Sequence, residues 1–261
     1  MKLKNILSAL IAPALLATFT ACSDIDENDR WKEAELKITD QNVLIEDFTG
    51  QRCINCPNAT DVIHSLQTEF GEDKVIAVGL HGGPTGLPDS KPVGLATKEA
   101  EEYYKKWNPS SQPMGVINRK GDVMNFDKWS TTIAELLSVE PEMKMEIEDK
   151  YNEATNKIDI DVKATSDVDL KGKLQLWVTE DNIKKVQMMP DGSRNNDYIH
   201  NHVFRGSVNG TWGEEFEFEA NETLEKTYSQ EVKEGWKAED IRIVAFVYTD
   251  NKGVLQVVKS K

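Results

Sequence analysis

Apolar and polar positions follow two different periods along the chain. From Leu36 to Val139, short continuous apolar runs alternate with amphipathic stretches. "NVLIEDF" (42–48) and "KVIAVGLH" (74–81) are nearly unbroken apolar runs, the pattern of strands buried on both faces. Between them, "ATDVIHSLQTEF" puts Val62, Ile63, Leu66 and Phe70 on one helical face, with Gly71 as its stop. A strand, a helix of this length and a second strand predict a right-handed parallel crossover. The stretch "GGPTGLPDSKPVG" (82–94) leads into an amphipathic helix from about Leu95 to Trp107. "QPMGVINRKGDVMNF" then reads as two strands turning at Lys120-Gly121, and a helix over about Lys128–Leu137 closes the order β-α-β-α-β-β-α. That order predicts a mixed sheet with helices on both faces.

From about Glu140 the period becomes two. "KIDIDVKA" (157–164), "GKLQLWVTE" (172–180), "TYSQEV" (227–232), "IRIVAFVYTD" (241–250) and "VLQVVKS" (254–260) read as strands, separated by turn residues such as Asp250-Asn251-Lys252-Gly253. "VNGTW" (208–212) reads as a hairpin turn. Seven or eight short strands in the last stretch of about 120 residues predict an antiparallel β-sandwich of immunoglobulin-like type. Two domains are therefore expected, an α/β domain over 36–139 and an all-β domain over 140–261.

The N-terminus adds an address. Lys2 and Lys4 precede an apolar run from Ile6 to Phe19, which reads with the following small residues as a secretory signal peptide over 1–21. The run is too short to span a bilayer, and Pro13 interrupts it. Thr20-Ala21-Cys22 resembles the lipobox of bacterial lipoproteins. That resemblance implies acylation of Cys22 and a membrane anchor without a transmembrane helix. Residues 22–35, "CSDIDENDRWKEAE", are acidic and polar and read as a flexible tether. Their acidic run resembles the export signal of surface lipoproteins of Bacteroidetes. Without Lys2 and Lys4 the mature chain carries 29 basic and 45 acidic side chains, a net charge of −16. A balance so acidic argues against nucleic acid and anionic lipid surfaces as partners.

Cys22 aside, the only cysteines are Cys53 and Cys56 in "IEDFTGQRCINCPNAT" (45–60). A helix starting here would place Cys53 near its N-terminus, where unpaired N–H groups and the helix dipole favour a thiolate, and Cys56 one turn further in. Cys53 would then be the exposed nucleophile and Cys56 the resolving thiol. Two other readings stand beside this one. As a staple, a loop this short would contribute only about 2 kcal/mol. As a metal site the pair would need two more ligands, and the spacing of His64, His81, His200 and His202 demands none of them.

"LIEDFTGQRCINCP" resembles the active-site strand and turn of the thioredoxin family, with Asp47 six residues before Cys53. The resemblance implies a buried Asp47 assisting proton transfer at Cys56, and a cis Pro113 in "SQPMGVINR" packed against the cysteines. It departs from the family at Arg52, Ile54-Asn55 and Pro57, which bears on substrate range and reduction potential. Elsewhere, "YIHNHVFRG" (198–206) carries His200 and His202 at a strand spacing, half a metal site at most. "HGGP" (81–84) resembles an oxyanion-hole loop, but no Gly-x-Ser-x-Gly elbow accompanies it.

"FTAC", "EDFTGQRCINCP", "QPMGVINR" and "YIHNHVFRGSVNGTWGE" together resemble the 28-kDa outer-membrane protein family of Bacteroidetes lipoproteins. The resemblance implies an α/β thioredoxin-like N-terminal domain followed by an all-β immunoglobulin-like sandwich, held at the outer membrane by Cys22. No metal and no cofactor is expected. Thiol–disulfide exchange with a protein partner is the expected activity, and a non-catalytic surface binding or adhesive role is the alternative.

Overall fold

The computed structural model describes residues 37–261, which cluster as one compact unit. The signal peptide, Cys22 and the tether lie outside the described residues.

Strand β1 (Val43–Thr49) is buried along its whole length, as its unbroken apolar run predicts. It pairs in parallel with β2 (Val75–His81), from Val43 opposite Val75 to Thr49 opposite His81. The crossover between them is α1 (Cys56–Phe70), ended by Gly71 at φ 102°. Helix α2 (Lys98–Trp107) begins at Thr97, whose hydroxyl accepts from the Ala100 N–H, and ends at Asn108 in the left-handed region. Strand β3 (Met114–Ile117) runs antiparallel to β1 and turns into the two-residue β4 (Met124–Asn125). Helix α3 (Trp129–Leu137) closes this part. Alternate residues of β1 and β2 face opposite ways. Val43, Ile45, Val75 and Ala77 pack with Ile63, Leu66, Trp129 and Ile133 of α1 and α3. Leu44, Phe48, Ile76, Val78 and Leu80 pack with Ala100 and Tyr103 of α2.

Ten strands follow: β5 (Met143–Asn152), β6 (Lys157–Ser166), β7 (Leu170–Glu180), β8 (Ile183–Met188), β9 (Arg194–His200), β10 (Val203–Ser207), β11 (Glu214–Phe218), β12 (Thr223–Glu231), β13 (Ile241–Thr249) and β14 (Gly253–Lys259). Strands β12-β6-β5 form a three-stranded sheet. Its apolar side, with Met143, Ile158, Ile160 and Val162, packs on Leu174, Leu176, Val178, Ile243 and Ala245 of β7 and β13. The two sheets thus pack face to face, in an all-β region.

The second layer of that sandwich does not stop where the all-β region was expected to begin. One sheet runs β14-β13-β7-β10-β2-β1-β3-β4, because β10 meets β2 in parallel at Val203 and Gly79. The change of period near Glu140 falls between α3 and β5, while backbone pairing crosses it. Strand β7 is consequently buried on both faces. Trp177, on the side away from the sandwich core, packs with Tyr103, Phe204 and Phe246, and its indole N–H donates to the Tyr103 hydroxyl at 2.9 Å. The stretch 208–212 is a turn, but not of a simple hairpin: β10 and β11 both pair with β7, along successive halves of the same edge.

A core shared by both regions predicts one cooperative unfolding transition. Trp177→Ala should cost about 3–5 kcal/mol. Denaturant curves followed by helical ellipticity and by tryptophan fluorescence should still coincide. Two separated transitions in the wild-type chain would show that the regions fold independently.

Candidate functional site

Cys53 and Cys56 form a disulfide, with Cα atoms 5.4 Å apart. Cys56 is the first helical residue of α1, and Cys53 lies in the turn before it, its N–H donating to Gly50 O at 3.0 Å. The helix thus starts one turn later than the placement of Cys53 at its N-terminus required. Cys53 is also not the exposed thiol expected: it is 4% exposed, against 2% for Cys56.

The cover is the β8–β9 hairpin, a two-stranded sheet of its own. The Gln187 side-chain amide donates to Cys53 O at 2.8 Å, and the Met188 N–H donates to Gln51 O at 2.8 Å. Beyond the hairpin's end, Gly79 N–H donates to His202 O at 2.8 Å, and the His200 ring meets the His81 ring edge-on at 5.4 Å. The "YIHNHVFRG" stretch therefore folds over the cysteine turn. Among the described residues no group of three His, Cys, Asp or Glu side chains is arranged to hold a metal ion.

A cavity of about 30 Å³, room for one or two waters, lies under this cover. Cys56, Asp47, His81, Gln187 and His200 line it. Asp47, 4% exposed on β1, has an Oδ1 with no hydrogen-bond partner. Burial pushes its carboxyl up to about 7. Burial acts the other way on the imidazoles, holding His81 at about 3, with His200 beside it adding repulsion, and His200 at about 4. Both rings are neutral at physiological pH. The Gln112–Pro113 peptide is cis, and the Gln112 amide donates to Thr49 O at 2.7 Å, at the end of β1. Arg52 does not address the sulfurs through an ion pair. Its guanidinium donates to Pro84 O and Gly86 O at 2.6 and 3.2 Å, at the end of "HGGP" and just beyond it.

A family model described as outer membrane protein Omp28 matches residues 100–261. The chain belongs to this family. Its place is accordingly the outer membrane, and no helix among the described residues is long and apolar enough to cross a bilayer. The residues matched to Omp28 include Pro113, Gln187, His200 and His202, while Asp47, Cys53 and Cys56 precede them. Among solved structures, HBP35 of Porphyromonas gingivalis is similar at 16% identity, over 84% of this chain and 74% of that one, with a TM-score of 0.63, a likeness of fold. A domain of the outer membrane lipoprotein Omp28 from Porphyromonas gingivalis is 31% identical over 46% of this chain and 88% of that one, with a TM-score of 0.33. No curated protein matches.

Two predictions follow from the cover and the buried acid. Removing the Gln187 amide deletes a hydrogen bond of about 1 kcal/mol that holds the hairpin down. Gln187→Ala should therefore let dithiothreitol reduce the disulfide roughly fivefold faster in a quenched alkylation assay. An unchanged rate would mean that the hairpin does not limit access. For Asp47, the folded chain keeps a proton between about pH 4 and 7 that the unfolded chain releases, so this group lowers stability as pH rises through that window. His81 and His200 stay neutral when folded, and stability falls as pH drops from 6.5 towards 4. The difference between Asp47→Asn and wild type isolates the acid. In urea titrations the variant should gain on the wild type between pH 4 and 7, by up to roughly 4 kcal/mol. A gap that does not move with pH would place the Asp47 carboxyl in the ordinary range.

Proposed function

We propose that this Omp28-family chain, anchored at the outer membrane through an acylated Cys22, exchanges disulfides with a protein partner through Cys53 and Cys56. The observation that carries the reading is an Asp47 carboxyl, buried without a partner at Oδ1, in the same small cavity as Cys56. Its pKa near neutrality suits a group that must take and return a proton at each turnover. The order β-α-β-α-β-β-α around it, a thioredoxin-like arrangement, and Pro113 immediately before β3 support the same reading.

A partner's thiolate attacks Cys53 Sγ, the Cys53–Cys56 bond breaks, and Cys56 leaves as a thiolate that takes the Asp47 proton. The partner's second thiolate then attacks the partner's first sulfur in the mixed disulfide, the bond to Cys53 breaks, and Cys53 leaves as a thiolate. The partner is oxidised to a disulfide, and Cys53 and Cys56 are reduced. The reverse sequence reduces a partner disulfide. Because Cys53 is covered, the partner must first displace the β8–β9 hairpin.

That same burial favours a second reading, in which the immunoglobulin-like sandwich binds at the cell surface and the thioredoxin-like part is a scaffold with an inert disulfide. Insulin reduction by dithiothreitol separates the two. Exchange predicts acceleration by the wild-type chain, loss of it in Cys53→Ser, and a roughly hundredfold slower rate in Asp47→Asn. A wild-type rate equal to that of dithiothreitol alone, with the pair still oxidised, rejects exchange and leaves the scaffold.

A further inference from the structure

A second pocket, on the opposite face of β1 from the cysteines, carries chemistry that disulfide exchange does not use. Its centre is Arg119, which follows β3 and turns inward. Asn118 and Arg119 both sit in the left-handed region, at φ 49° and 51°, a costly conformation for residues with a Cβ. Asn118 holds that turn in place. Its side-chain oxygen accepts from Leu44 N–H at 2.7 Å, its own N–H donates to Leu44 O at 2.9 Å, and its carbonyl accepts from Val254 N–H at 2.6 Å.

The guanidinium delivered by this turn is 5% exposed. Its Nε donates to Glu46 Oε1 at 2.6 Å, yet Nη1 and Nη2 make no hydrogen bond. Aromatic rings surround it, with Tyr248 at 4.4 Å and Trp212 at 5.9 Å from ring centroid to Cζ. Two unpaired donors on a buried cation are costly, and Glu46 Oε2 and the Trp107 indole N–H beside them are also without a partner.

Arg119 lines an open pocket of about 500 Å³ together with Trp107, Trp212, Tyr248, Lys106 and Lys173. Lys173 Nζ stands over the Tyr248 ring at 5.8 Å. Three cations and one lining carboxylate, Asp250, gather here on a chain whose formal charge is −14. Lone exposed lysines would mean little in this setting. Cations around a floor of indole and phenol rings define a ligand class.

We propose that this pocket binds a small organic anion whose flat apolar body lies among the Trp107, Trp212 and Tyr248 rings and whose charged group faces Arg119 and Lys173. An inorganic anion alone would leave the rings uncovered in a space this large. A neutral apolar molecule would leave the guanidinium donors without an acceptor.

Naphthalene-2-sulfonate is a suitable probe, titrated calorimetrically into the full chain beside neutral 2-naphthalenemethanol and inorganic sulfate. The sulfonate should bind at least tenfold more tightly than either control. Lys173→Glu and Trp212→Ala, both at partly exposed positions, should each weaken it at least tenfold while the melting temperature stays within a few degrees. The proposal is overturned by equal affinity for sulfonate and alcohol, which marks an apolar cleft only. Absence of binding at millimolar sulfonate overturns it too, as does an affinity that both surface variants leave within twofold. Insulin reduction is unaffected by either surface variant, so failure here and failure of disulfide exchange are distinguishable.

Discussion

A strand buried along its whole length carries two carboxyl groups side by side, and low dielectric forces each charge to be compensated or given up. Glu46 faces the α2 side of β1 and meets the Arg119 guanidinium at 2.6 Å. Burial pushes its carboxyl up, and Arg119 opposes that. Asp47 faces the α1 side, where the nearby imidazoles are held neutral and offer no counter-charge. Protonation is its only escape, hence a pKa near neutrality. An apolar residue in place of Asp47 would suit the strand better, whereas one in place of Glu46 would leave Arg119 buried without a counter-charge. Their presence organises both faces, an ion pair set among aromatic rings on one side and a titrating acid beside a disulfide on the other.

The two faces depend on the long sheet. Strand β10 joins β2 beside the cysteine turn, and β7 carries Trp177 into the core that α2 covers. Arg119 is thereby enclosed by rings from α2, β7, the turn after β10, and β13. Of the aromatic residues around Arg119, Tyr103 and Trp107 come from the α/β region, and Trp177, Trp212, Phe246 and Tyr248 come from the all-β region. The all-β region is therefore a wall of the α/β region as well as a neighbour to it.

Much of this was legible in the sequence where burial is periodic. The runs at 42–48 and 74–81 declare themselves because both faces are buried, and the face of Val62, Ile63, Leu66 and Phe70 and the alternation of 157–164 because one whole side packs inward. The β8–β9 hairpin was not read. Arg194, Asn195, Asn196 and Asp197 are all exposed, so β9 has no apolar period to detect. The available signal was Pro190-Asp191-Gly192-Ser193, a turn sequence whose Gly192 takes φ 82° and closes with Met189 N–H to Ser193 O at 2.9 Å. Arg119 was hidden for another reason. In "NRKG" it reads as a turn residue facing solvent, and nothing local announces that Trp177 and Phe246 will close over it.

Access to the disulfide follows from the same architecture. A single core and a continuous sheet leave no hinge between the α/β and all-β regions, so opening by separation of domains would break backbone pairing at β10 and the packing around Trp177. The β8–β9 hairpin is the cheaper route. It pairs only with itself, and two-stranded sheets are marginal alone. Its hold on the cysteine turn includes hydrogen bonds at Gln187 and Met188, the Gln51 amide donating to Val186 O at 3.5 Å, and the contact of His200 with His81. Local opening of such an element costs far less than global unfolding. Protonation would weaken the same contact, since two imidazoles packed edge-on repel once charged. Their low pKa values place that event well below neutral pH, and at neutral pH the cover yields to a competing backbone more readily than to a proton.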